Sequence, residues 1–154
     1  MTWREIIRNP ALRNLPFKLE TNRFGQIVLS PATNQQGALR FKVANEIRRC
    51  KRGGGVTLSC SVRTSDGVRV ADAAWVSRKF IAEFGGLTPY PKAPEICVEI
   101  VLSGTSKQAI EHKLELYLAK GAQEVWVVND KEEVTIHTHA GKLKTSKLAP
   151  KFKL

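Results

Sequence analysis

No stretch of this chain carries the ~20 consecutive apolar residues that a membrane-spanning helix requires, so a helical channel or carrier is excluded. The opening residues, Met1-Thr2-Trp3-Arg4-Glu5, also lack the basic-then-apolar layout of a signal peptide. Cysteine is scarce. Cys50, Cys60 and Cys97 are the three present, an odd number with no CxxC spacing. That argues against a disulfide framework or a paired-cysteine zinc motif, and it points to a reducing cytoplasm. Gly53-Gly54-Gly55 is not followed by Gly-Lys-Ser/Thr, which excludes a phosphate loop and leaves a flexible turn.

Acidic residues are the other shortage. Fourteen Asp and Glu face 25 Lys and Arg, giving a net charge of +11 and a pI near 9.9. Such an excess on a small chain predicts a polyanionic partner, and its clustering favours nucleic acid. Much of it is clustered, as Arg48, Arg49, Lys51 and Arg52, and again as a basic C-terminal tail from about residue 141. At 154 residues the chain is expected to form one domain with a respectable core.

The order of elements follows from periodicity and punctuation. Thr2 with Glu5 forms a capping-box pattern that predicts a short helix over 3–8, stopping before Pro10. Residues 15–20 and 26–30 read as a hairpin, and Leu39, Val43, Ala44 and Ile47 mark a helix over 35–50. Ser65-Asp66-Gly67 turns one strand into the next. Residues 83–94, with three prolines and two glycines, read as a flap-like loop. Strands at 95–102 and 124–128 flank a helix from 106 to about 119, a parallel pair joined by a crossover. A further strand is expected at 134–138. The whole predicts an α/β fold, a mixed β-sheet flanked by helices.

Against this background two acids stand out. Asp72 lies within Val68-Arg69-Val70-Ala71-Asp72-Ala73-Ala74-Trp75-Val76, and Glu99 within Ile96-Cys97-Val98-Glu99-Ile100-Val101-Leu102. An unpaired carboxylate in a doubly buried strand costs several kcal/mol or is forced neutral. Two of them in neighbouring strands imply a shared positive partner, a metal ion or a lysine. Mg²⁺ or Mn²⁺, held by one or two carboxylates with water and phosphate, would suit such a pair. A lysine candidate lies on the 106–119 helix, where Ile110, Leu114, Tyr117 and Leu118 form the apolar stripe. At about 100° per residue, Lys113 falls off the polar face and about 60° from Ile110. It can snorkel outward or reach across the sheet toward the acids. Lys107 is the rival, nearer the helix start where phosphate meets free backbone N–H groups.

These residues resemble the Uma2 family of proposed endonucleases, long carried as a domain of unknown function, within the PD-(D/E)xK restriction-endonuclease-like superfamily. The resemblance runs from Leu19-Glu20 to about His137. It includes Gly25-Gln26-Ile27 before Ser30-Pro31, the Asp72 segment, Ala93-Pro94-Glu95 into the Glu99 strand, Lys113-Leu114-Glu115-Leu116-Tyr117, and Gly121-Ala122-Gln123-Glu124-Val125-Trp126. It implies a restriction-endonuclease-like core and a metal-dependent DNA endonuclease that hydrolyses phosphodiester bonds. Asp72 and Glu99 would hold the metal, Lys113 would assist, and Glu20 would add a further acid. The superfamily's usual lysine position, two residues after the second acid, is Val101 here. Ala71 replaces the motif proline, Gln36 stands where relatives often carry histidine, and Asn129 replaces an aspartate. Arg48, Arg49, Lys51, Arg52 and Lys107 are the expected DNA contacts, and cutting both strands would call for a homodimer. The competing expectation is a catalytically inactive module that kept the fold and binds nucleic acid or a partner.

Overall fold

Thr2 opens the first helix by accepting from the Glu5 amide at 3.3 Å, while the Glu5 carboxylate returns to the Thr2 amide at 2.6 Å. In the computed structural model, which describes residues 1–154, this capping box starts α1 (Trp3–Arg8). Asn9 then ends α1 and caps the one-turn α2 (Pro10–Arg13), with Pro10 at a position where no N–H is needed. A second capping box, Thr33 with Gln36, starts α3 (Asn34–Cys50). Between them β1 (Phe17–Thr21) and β2 (Ile27–Pro31) form an antiparallel ribbon of their own.

The main sheet has six strands: β3 (Gly54–Thr64), β4 (Gly67–Ser77), β5 (Ile96–Val101), β6 (Glu124–Asn129), β7 (Val134–Thr138) and β8 (Gly141–Leu143), in that spatial order. Only β5 and β6 run parallel, and the expected crossover helix joins them as α5 (Lys107–Ala119). The fold is therefore a mixed sheet flanked by helices. One face packs Leu39, Val43, Ala44 and Ile47 of α3 against Trp75, Val98 and Trp126. The other packs Leu114 and Tyr117 of α5 against Cys97, Val125 and Val127. Glycine is required at Gly67, which has φ +79° and where a Cβ would lie 2.2 Å from the Thr21 carbonyl oxygen. No helix is long and apolar enough to cross a membrane.

Three local readings differ. The stretch expected as a flap begins later, because Ser77 caps a helix α4 (Arg78–Phe84) that buries Phe80. Gly54 and Gly55 belong to β3 rather than to a loose turn. The segment from Gly141 is lysine-rich on its outside, yet it closes the fold. Leu148, Ala149, Phe152 and Leu154 join the α3-side core, and the Phe152 ring lies 4.6 Å from that of Trp126. Its apolar residues recur between the lysines, so burial takes one side of the segment and water the other.

Candidate active site

The sheet opens at Asp72. In the β3–β4 ladder Leu58 pairs with Ala73 and Cys60 with Ala71, while Ser59 and Asp72 between them are unpaired. Ser59 there has φ +50°, the left-handed region that L-residues seldom occupy. On the opposite side, β4 pairs with β5 only as far as Ala73↔Val98. One step further along that register puts Asp72 across from Glu99. The Asp72 carboxylate takes over the missing ladder bond, its Oδ2 accepting from the Ile100 amide at 2.7 Å. Beyond the break, the free amides of β4 are capped from β1. Thr21 Oγ1 accepts from Val68 at 2.9 Å and Glu20 Oε1 from Val70 at 2.8 Å. The ribbon therefore docks through side chains, which carries Lys18 and Glu20 into the gap.

Two lysines enter it from different directions. Lys18 Nζ lies 3.3 Å from Asp72 Oδ1 and 3.0 Å from Glu99 Oε2. Lys113 Nζ, reaching down from α5, lies 2.8 Å from Glu99 Oε1 and 2.6 Å from Glu20 Oε1. The buried Tyr117 hydroxyl, one helical turn further on, donates to Glu99 Oε1 at 2.7 Å. Glu99 is therefore gripped at both oxygens. Burial works to raise its pKa, but Lys113 and then Lys18 outweigh it and hold the carboxyl at about 2. Asp72 goes the other way: burial, then the Glu99 charge, push its pKa up against the pull of Lys18. Burial opposes the charge on Lys18, yet Glu99, Asp72 and Glu20 hold its pKa above the ordinary lysine value. Two acids on one ammonium are thus driven apart in proton affinity, a hallmark of functional carboxylate pairs.

A cleft of about 890 Å³ opens over this cluster. Lys18, Glu20, Asp72, Glu99 and Lys113 lie on its floor, and Arg13, Arg40 and Arg69 line it as well. Arg69 donates to Asp66 Oδ2 at 2.8 Å, and His112 at the cleft wall meets the same oxygen at 2.7 Å. The hydrogen bond from His112, with help from the Arg23 amide and the Arg69 charge, holds the Asp66 carboxyl well below the usual range.

Of the residues singled out from sequence, Asp72, Glu99, Lys113 and Glu20 come together. Lys107 does not: its side chain is 90 % exposed beside Glu111, against 15 % for Lys113. The basic run at the C-terminal end of α3 is remote too. Gln36 and Arg40, near the start of α3, line the cleft, whereas Arg48 lies twelve residues beyond Gln36, about 18 Å along a helix. Arg49 is paired with Glu46, and the Lys51 ammonium donates to the Leu148 carbonyl and sits 4.1 Å from the centre of the Trp75 ring. No three His, Cys, Asp or Glu side chains gather as a ready metal-ligating set. Glu20, expected as a further acid, accepts from the Lys113 ammonium and the Val70 amide.

The donor chemistry at Asp72 and Glu99 nevertheless fits a hard divalent cation. Two carboxylate oxygens converge on a single positive charge, and the Lys18 ammonium stands in for it. A family model described as "Putative restriction endonuclease", Uma2, matches residues 4–150. The chain belongs to the Uma2 family. The solved structure of a putative nuclease of the DUF820 family from Anabaena variabilis has the same fold, with a TM-score of 0.72 at 18% identity, covering 88% of this chain and 86% of that one. Comparison with curated proteins gives no match. Within the Uma2 frame, Val101 is half-buried against the α5-side core, so no lysine enters from the usual place after Glu99. Lysines arrive from β1 and α5 instead. Lys113 was legible from its helical position, while Lys18 went unread because a lysine in a short alternating strand looks like an ordinary solvent-facing residue.

Proposed function

We propose that this Uma2 chain is a metal-dependent endonuclease that hydrolyses phosphodiester bonds in DNA. The observation that carries the reading is the convergence of Asp72 and Glu99 on one cation position, at 3.3 and 3.0 Å, on the floor of an arginine-lined cleft. Asp72 and Glu99 would hold Mg²⁺ or Mn²⁺. When bound, such an ion polarises the scissile phosphate and lowers the pKa of a ligated water.

The remaining work falls to the protein. Glu20 and Glu99 fix the Lys113 ammonium at the cleft floor, where it stabilises negative charge developing on the phosphate. Tyr117 keeps the Glu99 carboxylate oriented from behind. Arg13, Arg40 and Arg69 give the cleft the positive character that a phosphate backbone seeks. The basic surface at Arg48, Arg49 and Arg52 acts at longer range, steering DNA toward the molecule, and Lys107 does so beside the cleft. Cutting both strands would take two such sites, as a homodimer provides.

Plasmid nicking in Mg²⁺ or Mn²⁺ tests the proposal. The wild-type chain should nick, and Asp72→Ala and Glu99→Ala should each fall to background. Nicking by both variants at the wild-type rate would sink it. Salt-sensitive DNA binding with no cleavage would instead support the inactive binding module, which the Lys18 bridge favours by already satisfying both acids.

A further inference from the structure

We propose that Lys18 is a built-in counter-ion: its ammonium holds Asp72 and Glu99 together in the metal-free protein, and it must withdraw for a divalent cation to bind between them. The inference rests on the reading of Asp72 and Glu99 as metal ligands and goes beyond it, assigning the competitor that sets the affinity of that site.

Space is the first argument. The Lys18 nitrogen is 3.3 Å from Asp72 Oδ1 and 3.0 Å from Glu99 Oε2, so it lies between the oxygens that face each other across the break in the sheet. Mg²⁺ ligated by those oxygens would sit about 2.0–2.1 Å from them. The two positive centres cannot share that gap.

Charge is the second. Glu20, Asp72 and Glu99 face Lys18 and Lys113, three acids against two ammonium groups, and the Arg69 guanidinium stands 4.0 Å from Glu20. A divalent ion added with Lys18 still in place would turn this small, buried cluster positive. With Lys18 swung out, the ion, Lys113 and the three acids balance, because Arg69 has its own partner in Asp66 at 2.8 Å. Lys18 is also the member able to leave. Lys113 has a second anchor in Glu20, which Lys18 does not contact, and its helix is packed through Leu114 and Tyr117. Lys18 has no partner except the two acids, and it stands on a two-stranded ribbon outside the main sheet. It lines a cleft of about 890 Å³, which gives its long stem room to turn.

The test is Mn²⁺ binding by titration calorimetry to the intact chain, with thermal unfolding in chelator and in Mn²⁺ as a second readout. Lys18→Met keeps the stem and removes the charge. It should bind Mn²⁺ about tenfold more tightly than wild type or better, a free-energy change within reach of one buried pair. Its unfolding midpoint should fall in chelator and recover with Mn²⁺ by more than the wild-type midpoint rises. Lys107→Met, equal in charge change but outside the gap, should bind as wild type does. If Lys18→Met is not folded, Lys18→Gln is held to the same criteria. Equal or weaker binding by the Lys18 variant, or an equal gain in Lys107→Met, overturns the counter-ion role. Where wild-type binding still disappears in Asp72→Asn, that overturning leaves the metal reading standing. Wild-type protein with no Asp72-dependent Mn²⁺ binding overturns both.

Discussion

Tyr117 and Glu99, eighteen residues apart, are joined by a fully buried hydrogen bond of 2.7 Å from the phenol to Oε1. Tyr117 read as one more member of the apolar stripe on α5, and by burial it is one, but its hydroxyl is what lets that stripe support a carboxylate. Burial pushes the phenol's pKa well above its ordinary value, so it remains a donor at any working pH. Tyr117→Phe removes the donor and little volume. The expected loss is about 1.5–3 kcal/mol of stability, the range for a hydrogen bond to a charged group, together with slower nicking as Glu99 loosens. Urea unfolding measures the first. An unchanged midpoint would mean that Lys113 and Lys18 suffice to hold Glu99.

Lys113 and Glu20 form a second pair that acts as a unit, at 2.6 Å with both side chains largely buried. Lys113→Met strands Glu20 in a site with only the Val70 amide and a guanidinium at 4.0 Å. It should cost on the order of 3 kcal/mol, the penalty for breaking a buried pair on one side. Nicking should fall on the order of 10²-fold, as when a preorganised transition-state contact is lost. Adding Glu20→Gln to Lys113→Met should restore part of the stability and none of the activity. Additive stability losses in that double-mutant cycle would show the two residues to be independent.

These pairs mark where reading the chain from sequence stops. Asp72 and Glu99 were legible because an acid inside an apolar run is an anomaly in one dimension. Lys113 was legible because helix geometry places it off the polar face. Lys18 obeys the local rule for a strand residue, and its importance arises only from the docking of β1 onto β4, a contact between segments about fifty residues apart. Helix α4 escaped for a different reason. Its seven residues are too few to show a period, and the Pro- and Gly-rich loop that follows drew the boundary too early. The basic cluster at 48–52 was visible as charge, but charge in sequence does not reveal which end of α3 faces the cleft.

Acid sensitivity should expose the wall of the cleft. Asp66 has a folded pKa depressed by its hydrogen bond to His112 and by Arg23 and Arg69. A depressed carboxyl contributes stability that is fully present above its unfolded pKa, about 3.9, and is lost as pH falls toward the folded value. Asp66→Asn should therefore be less stable than wild type at pH 7, and the gap should narrow steadily below about pH 4. Chemical unfolding at a series of pH values measures this. A gap that stays constant down to pH 2 would assign the effect to packing rather than to ionisation.

Glu124 provides the contrast that separates a structural buried acid from the proposed metal ligand Glu99. It stands on β6, across the parallel ladder from Ile96, three residues before the point where Glu99 faces Val127. It is only 2 % exposed, and its hydrogen-bond partners include no ammonium or guanidinium group. Four donors surround it: Trp126 Nε1 at 2.8 Å, Ser146 Oγ at 2.6 Å, and the amides of Lys147 and Leu148 at 2.8 and 3.1 Å. Every partner is neutral, and three of the four belong to the C-terminal segment that covers the α3 side of the sheet. Glu124 thus fastens that segment, whereas Glu99 is surrounded by removable positive charge at a cleft. Glu124→Ala leaves those donors unpaired and frees Leu148 from the α3-side core and Phe152 from its place beside Trp126. We expect a loss on the order of 3–5 kcal/mol, since each buried donor left without its acceptor costs about 1–3 kcal/mol, with a shift in tryptophan emission as Phe152 leaves the Trp126 ring. Metal affinity and nicking, measured well below the lowered unfolding midpoint, should stay at wild-type levels. Loss of Mn²⁺ binding in folded Glu124→Ala would show that the C-terminal segment holds the site in shape, and the division between the two acids would fail.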